Sequence, residues 1–380
     1  MFAVTITSTI HTQYRFAYFF RERWNKPTQP MNSLNDPPLP ERIESEEQLD
    51  ELMTRPRDGL VEFIKTLPSP LLILGASGKM GPTLVELARR AAEAAGHDLQ
   101  IISVSRFSDS ETRRWFEARG IRTIACDLLE RDSLKDLPDA PNLIYLVGLK
   151  FGTGQNPSPT WAVNTIVPTL VSERFPHARI AALSTGNVYP LMPIGSHGAV
   201  ESDALTPLGE YANAAVARER LFEFHSQKNG TLIVLLRLNY AVDLRYGVLV
   251  DLAQKVWAGA PVDVTMGYLN CIWQGDANDM IIRSLALARN PPAALNLTGN
   301  KVLSVRKLAE RFGELMEKNV YLVGSEAETA LLSDSSRACR ELGEPATPLD
   351  NILRWTADWI MQGRLTLNKP THFEVRDGKY

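Results

Sequence analysis

Six runs of apolar, largely β-branched residues recur along the chain: LLILG (71–75), QIISVS (100–105), IRTIAC (121–126), NLIYLVG (142–148), RIAALS (179–184) and TLIVLLRL (231–238). They are nearly continuous and do not alternate apolar with polar. Strands of this kind are buried on both faces, as in a parallel sheet, whereas a strand with one wet face alternates. Helical spacing fills the gaps at 81–95, 110–119, 160–174 and 208–228. The succession predicts an α/β fold with a doubly wound parallel sheet over residues 70–245. Past residue 240 the order loosens. Helices at 248–258, 276–288 and 304–317 mix with short strands at 262–265, 295–298 and 319–323. They predict a smaller C-terminal α/β lobe over 246–365, interleaved with the first domain, and then a tail at 366–380.

The first run ends in a glycine loop, GASGKMG, before a helical pattern begins. Gly75, Gly78 and Gly81 stand between strand and helix. That spacing permits a tight turn, close approach of backbone to a pyrophosphate, and free helix N–H groups facing it. Ser77 adds a hydroxyl, Lys79 a positive charge, and Pro82 suits the first helical turn. The predicted ligand is a dinucleotide, NAD(P). At the end of the second run, where an acid would bind the ribose hydroxyls of NAD, stand Ser105 and Arg106. An arginine there suits a ribose 2′-phosphate and favours NADP, with Asp109 as a competing acid. Asp127, at the third strand end, is placed to accept from the adenine amino group.

Other partners are excluded by composition. The chain has 41 basic and 44 acidic residues, net charge −3, and no long basic block. Neither nucleic acid nor an anionic membrane surface is indicated. Cys126, Cys271 and Cys339 lie far apart without a CxxC, and the histidines form no HExxH or HxH. Neither a disulfide framework nor a metal site is suggested. No apolar run is long enough to span a bilayer. A reduced, cytoplasmic protein follows. Residues 1–30, with Arg15, Arg21, Arg23 and Lys26 against Glu22, are expected to be a disordered extension, with a transit peptide as the alternative. Residues 31–69 are expected to form a helical arm. Ser45 and Gln48 make a capping box there, and a second short helix runs through DGLVEFIKTL to Pro68.

Several further signals occur in order: the glycine loop, Asp127–Leu128, WAVN ending in Asn164, LSTGNVYP (183–190), YANAAVARE (211–219), LRLNY (236–240), CIWQGDAND (271–279) and LNLTGNKVLSVRKLAE (295–310). Together, from about 70 to 360, they resemble the extended short-chain dehydrogenase/reductase superfamily, particularly its NAD-dependent epimerase/dehydratase group. The resemblance implies a Rossmann domain with cofactor contacts at Gly75, Ser77, Gly78, Lys79, Met80, Gly81, Arg106, Asp127, Leu128, Val147, Gly148 and Asn164. It places Thr185 and Tyr211 at the family's catalytic Ser/Thr and Tyr positions. Lys150, Asn187, Asn239, Tyr246 and Asn270 become substrate-side candidates. Asn239 and Tyr246 follow the sixth strand's C-terminal end, where ligands bind in such sheets. The implied activity is hydride transfer on a sugar or related hydroxy or carbonyl compound. Many members pair through helices flanking the sheet, and the small residues of 208–228 permit a homodimer or simple packing on the sheet.

Two departures stand out. The family's lysine four residues after the tyrosine is Ala215, while Glu219 keeps the register of that helix. That lysine normally lowers the tyrosine pKa. Lys150, just past the fourth run, or Arg218, two turns along from Tyr211, could supply the charge instead. Nucleotide-sugar members also often grip a diphosphate with a basic residue before the CIWQGDAND-like segment. Asn270 and Gln274 stand there, leaving Arg237 and Arg245 as possible anion partners, and Trp273 reads as core. An enzyme and a non-catalytic NAD(P)-binding sensor or subunit therefore both remain as readings.

Overall fold

The computed structural model describes residues 38–150 and 152–379. The expected extension at 1–30 lies outside the described residues. The six apolar runs become β1 (Leu71–Leu74), β2 (Ile101–Ser105), β3 (Arg122–Ala125), β4 (Asn142–Tyr145), β5 (Arg179–Thr185) and β6 (Leu232–Leu238). A seventh strand, β7 (Ala293–Leu297), joins them, and the sheet runs β7-β6-β5-β4-β1-β2-β3 with every pairing parallel. The order reverses beside β1, so a crevice opens at the carboxyl ends of β1 and β4. β1, β2 and β4 are buried throughout, whereas the edge strand β3 is half-exposed.

The seventh strand departs from the sequence expectation, which put 295–298 in the second lobe. Its apolar run is interrupted by Asn296. That side chain is wholly buried and fully used: it donates to the Ala199 and Asp334 carbonyls and accepts from the Tyr189 hydroxyl. A satisfied amide costs little in a core, so the strand tolerates it.

Among the described residues are also several two-stranded ribbons and twelve α-helices: α1 (Glu46–Met53), α2 (Asp58–Ile64), α3 (Gly81–Ala94), α4 (Ser110–Glu117), α5 (Arg131–Lys135), α6 (Pro157–Arg174), α7 (Gly209–Asn229), α8 (Val248–Trp257), α9 (Gln274–Arg283), α10 (Val305–Met316), α11 (Ser336–Leu342) and α12 (Leu349–Met361). Leu72 and Leu74 cluster with Val167, Val171 and Phe222, so α6 and α7 cover one sheet face. α3 and α9 pack on each other, with α1 and α2 against them. The capping box forms with a shift. The Ser45 hydroxyl accepts from the Gln48 amide N–H at 3.2 Å, while the Gln48 side chain accepts from Glu44 rather than Ser45, at 2.7 Å.

The second lobe has its own core, built where α8, α10 and α12 meet. Trp273 is buried in it against Trp355, ring centres 5.8 Å apart, as expected of a core residue. Ile43, Leu49 and Met53 join the same cluster, so the helical arm is part of this core. Residues 366–379 run back along the lobe. Thr371 binds the Asp251 carboxylate, Arg376 donates to the Thr329 carbonyl and hydroxyl, and Gly378 lies against Leu208 and Gly209. Gly209 and Gly378 both have positive φ, and a Cβ on either would fall 2.2 Å from backbone oxygen of the opposing segment. Only glycine fits at both places. No described helix is long and apolar enough to cross a membrane.

Candidate active site

The turn from β1 into α3 begins at Gly75, with φ +82. Its amide donates to the Val104 carbonyl at 2.8 Å, and Gly78 closes the loop with a 3.0 Å bond to the Gly75 carbonyl. Beyond it the free N-terminus of α3 has Pro at its start and no side-chain cap. Gly81 serves the packing of helix on turn, since a Cβ there would lie 1.9 Å from the Ala76 carbonyl oxygen.

In front of this turn is a cavity of about 350 Å³. Gly75, Ser77, Gly78, Arg106, Asp127, Leu128, Val147 and Gly148, all expected cofactor contacts, line it together. Sequence reasoning missed part of the wall: Leu146 and Leu149 after β4, and Pro159, Val163 and Val167. The last three recur every four residues on α6, a one-faced helical spacing that could have disclosed them. At the end of β2 the Ser105 and Ser77 hydroxyls are hydrogen-bonded to each other, and Arg106 is exposed at the cavity wall. Asp109, the competing acid, caps α4: its carboxylate accepts from the Glu111 and Thr112 amides and the Thr112 hydroxyl, which holds its pKa below the usual range.

Three expected cofactor contacts lie elsewhere. Met80 is buried at the start of α3. Asn164 is wholly buried, donating to the Thr160 and Leu149 carbonyls and accepting from Arg218. Lys79 turns to the other side of the loop. Its Nζ donates to the Ala241 carbonyl at 2.9 Å and stands 4.3 Å from the centre of the Tyr246 ring. Burial pushes its ammonium down to about 8.

The candidate catalytic groups come from β5 and α7, and α7 packs on β5 and on the 3₁₀ turn Gly186–Val188 that follows it. Thr185 ends β5. Its oxygen accepts from the Asn187 amide and from the Asn187 side chain, both at 3.2 Å. Both acceptor directions are thereby taken, and the hydroxyl proton is left to donate outward. Tyr211 lies in the first turn of α7, half-buried. Lys150 stands 5.9 Å from its ring centre. The Tyr246 hydroxyl is pushed up to about 12, chiefly by burial and then by the Asp251 carboxylate.

Several substrate-side expectations need correction. Asn270 is buried and spends its amide on the Lys301 carbonyl and the Ser333 N–H. Asn239 is buried too, bracing the Leu331 carbonyl at 3.4 Å. Neither arginine offered as an anion partner is available. Arg237 is buried in a bidentate pair with Glu219, and Arg245 binds Asp50, Glu46 and Asp243. Their charges are already compensated inside the protein.

Residues 71–242, spanning the sheet's nucleotide crevice, the Thr185 turn and the Tyr211 helix, match the NAD dependent epimerase/dehydratase family. Solved structures extend the likeness to about three-quarters of the chain. A UDP-glucuronic acid 4-epimerase from Bacillus cereus aligns with TM-score 0.65 and 17% identity, covering 77% of this chain and 99% of that one. A dTDP-glucose 4,6-dehydratase from Streptomyces venezuelae gives 0.65 and 17%, covering 77% and 97%. The UDP-glucose 4-epimerase of Thermus thermophilus gives 0.61 and 17%, covering 76% and 98%. At such identity the likeness is one of fold. No curated protein sequence matches the chain.

Proposed function

We propose that the chain is an NAD(P)-dependent enzyme that moves a hydride between its cofactor and a hydroxyl- or carbonyl-bearing carbon of a sugar or related small molecule. The observation that carries this reading is the arrangement of Thr185. Its acceptor directions are filled by Asn187, which leaves its proton free to donate to a substrate oxygen. Tyr211, on the helix packed against that turn, exchanges the proton of the same oxygen. The glycine turn, the start of α3 and the 350 Å³ cavity fit a dinucleotide, with Asp127 toward the base and Ser105 and Arg106 toward the ribose. When bound, the nicotinamide supplies or accepts the hydride. Arg237 and Arg245 are tied to carboxylates, which favours a substrate without a diphosphate.

The cofactor phosphate gives a sharp expectation. Asp109 is engaged as a helix cap and Ser105 replaces the usual acid, so NADP is favoured over NAD. Arg106→Ala should weaken NADPH binding by about 10- to 100-fold, the loss of a charge-assisted bond, with NADH little changed in the same fluorescence titration. Equal losses for both would remove the case for NADP.

Ala215 favours a second reading, a protein that binds NAD(P) as a sensor or subunit without turnover. A panel of polyols, aldoses and nucleotide sugars, followed at the nicotinamide absorbance, separates the two. Turnover that falls by about 10²- to 10⁴-fold in Tyr211→Phe supports the enzyme. Tight cofactor binding with no turnover across the panel supports the sensor.

A further inference from the structure

Two arginines are buried among the described residues, Arg218 and Arg237. Arg237 faces the Glu219 carboxylate. Arg218, one residue before that glutamate on α7, makes no ion pair with any described carboxylate. Its Nη1 donates to the Val147 carbonyl at 3.0 Å and to Asn164 Oδ1 at 2.9 Å, while its buried Nε has no partner. A guanidinium is always charged in a protein. Taking it out of water with no anion to meet it is costly. A neutral donor could serve the same two neutral acceptors, so hydrogen bonding to the loop does not account for the charge.

The charge lies directly beneath the nucleotide crevice. Val147 and Gly148 line the 350 Å³ cavity beside Gly75, and a Cβ on Gly148 would stand 2.8 Å from Arg218 Nη1. Val147 also abuts the glycine turn, its backbone nitrogen 3.1 Å from where a Gly75 Cβ would be. A trans peptide sets its carbonyl and N–H on opposite sides. With the Val147 carbonyl held by Arg218, the Gly148 N–H is turned away from the guanidinium. Protein of this kind screens a charge far less than water does. Meanwhile the cation expected at the turn is absent from it, because Lys79 is bonded to the Ala241 carbonyl on the other side of the loop. The turn and the start of α3 offer a pyrophosphate N–H dipoles but no full charge. Asp127, the carboxylate on the cavity wall, accepts from the Leu129 amide and does not pair with Arg218.

We propose that Arg218 supplies, from behind the backbone of residues 147 and 148, the positive charge that draws the pyrophosphate of a dinucleotide into the crevice. The proposal rests on the cavity being a dinucleotide site. Arg218 is a binding residue that acts through the cavity floor, and the bound pyrophosphate supplies the anion that its burial lacks.

The test separates charge from support of the loop. ADP-ribose carries the pyrophosphate without the nicotinamide, and adenosine carries neither. Both are titrated into the full chain by calorimetry or ligand-observed NMR. Arg218→Gln removes the charge but keeps an amide donor, and Arg218→Lys keeps the charge. The glutamine variant should bind ADP-ribose roughly 10-fold more weakly, with adenosine changed by less than about twofold. The lysine variant should stay near the parent with both ligands. Unchanged ADP-ribose affinity in Arg218→Gln overturns the proposal. So does an equal loss for adenosine, which would mean that the arginine only props the loop, or a lysine variant as weak as the glutamine one. A parent chain that binds neither ADP-ribose nor NADH overturns the dinucleotide reading and this proposal together. A parent that binds both, with an unaffected glutamine variant, overturns this proposal alone.

Discussion

Gly81→Ala is expected to cost at least about 3 kcal/mol of stability and to abolish dinucleotide binding. The added methyl would lie 1.9 Å from the Ala76 carbonyl oxygen and 2.5 Å from its carbon. Both atoms are backbone, so no rotamer can relieve the clash. Relief requires α3 to back away from the turn, and that withdraws the helix N-terminus from the cavity it faces. Gly78→Ala is the control. Its Cβ would stand 3.3 Å from the Gly75 carbonyl oxygen, a contact that small shifts can absorb. That variant should stay folded and bind cofactor more weakly. Thermal unfolding followed by a cofactor titration compares the two. A Gly81→Ala protein that melts and binds like the parent would show that the turn has slack the geometry denies.

Arg237→Met is expected to destabilise by about 3–5 kcal/mol. The guanidinium and the Glu219 carboxylate are both buried, with side-chain exposures of 5% and 1% and a closest approach of 2.8 Å. The arginine also donates to the Tyr189 hydroxyl at 2.6 Å and to the Glu201 carbonyl, and Glu219 accepts from Ser184. Removing the arginine leaves a carboxylate in the core with most of its compensation gone. The penalty is that of an abandoned charge more than of a lost attraction. Pairing Arg237→Met with Glu219→Leu should therefore recover much of the loss, which a chemical denaturation cycle over the four proteins would show. The exposed pair Lys135–Asp132, at 70% and 90% exposure, should contribute almost nothing by the same measurement.

Much of the sheet was legible because strands buried on both faces leave uninterrupted apolar runs. Five of its seven strands appear that way, the exposed edge strand β3 is legible from its place in the alternation of strand and helix, and the glycine loop is legible because its chemistry lies within seven consecutive residues. The seventh strand is legible as a strand at 295–298 but not as part of this sheet, because Asn296 breaks its apolar run and that residue's three partners come from segments about 40 to 110 residues away in sequence. The cavity wall on α6 was recoverable in principle from its four-residue spacing. The fate of the polar residues was not. Asn270, Arg237 and Arg245 have the same formulae as ligand-binding groups, and only tertiary partners show that their hydrogen bonds are already made. The same holds for Lys150. As sequence it is one basic residue after a strand, and its place beside Tyr211 exists only once β4 and α7 are brought together.

The contact of Gly378 with Leu208 and Gly209 also bears on the order in which the protein is completed. Domains assemble during synthesis from the N-terminal side, and contacts between distant residues close last. Strands β1 to β6 and the helices between them all precede residue 240 and can associate while the chain is still growing. The beginning of the Tyr211 helix gains this backbone neighbour only after residue 378 has left the ribosome. The crevice can thus form well before the tyrosine helix has all its supports.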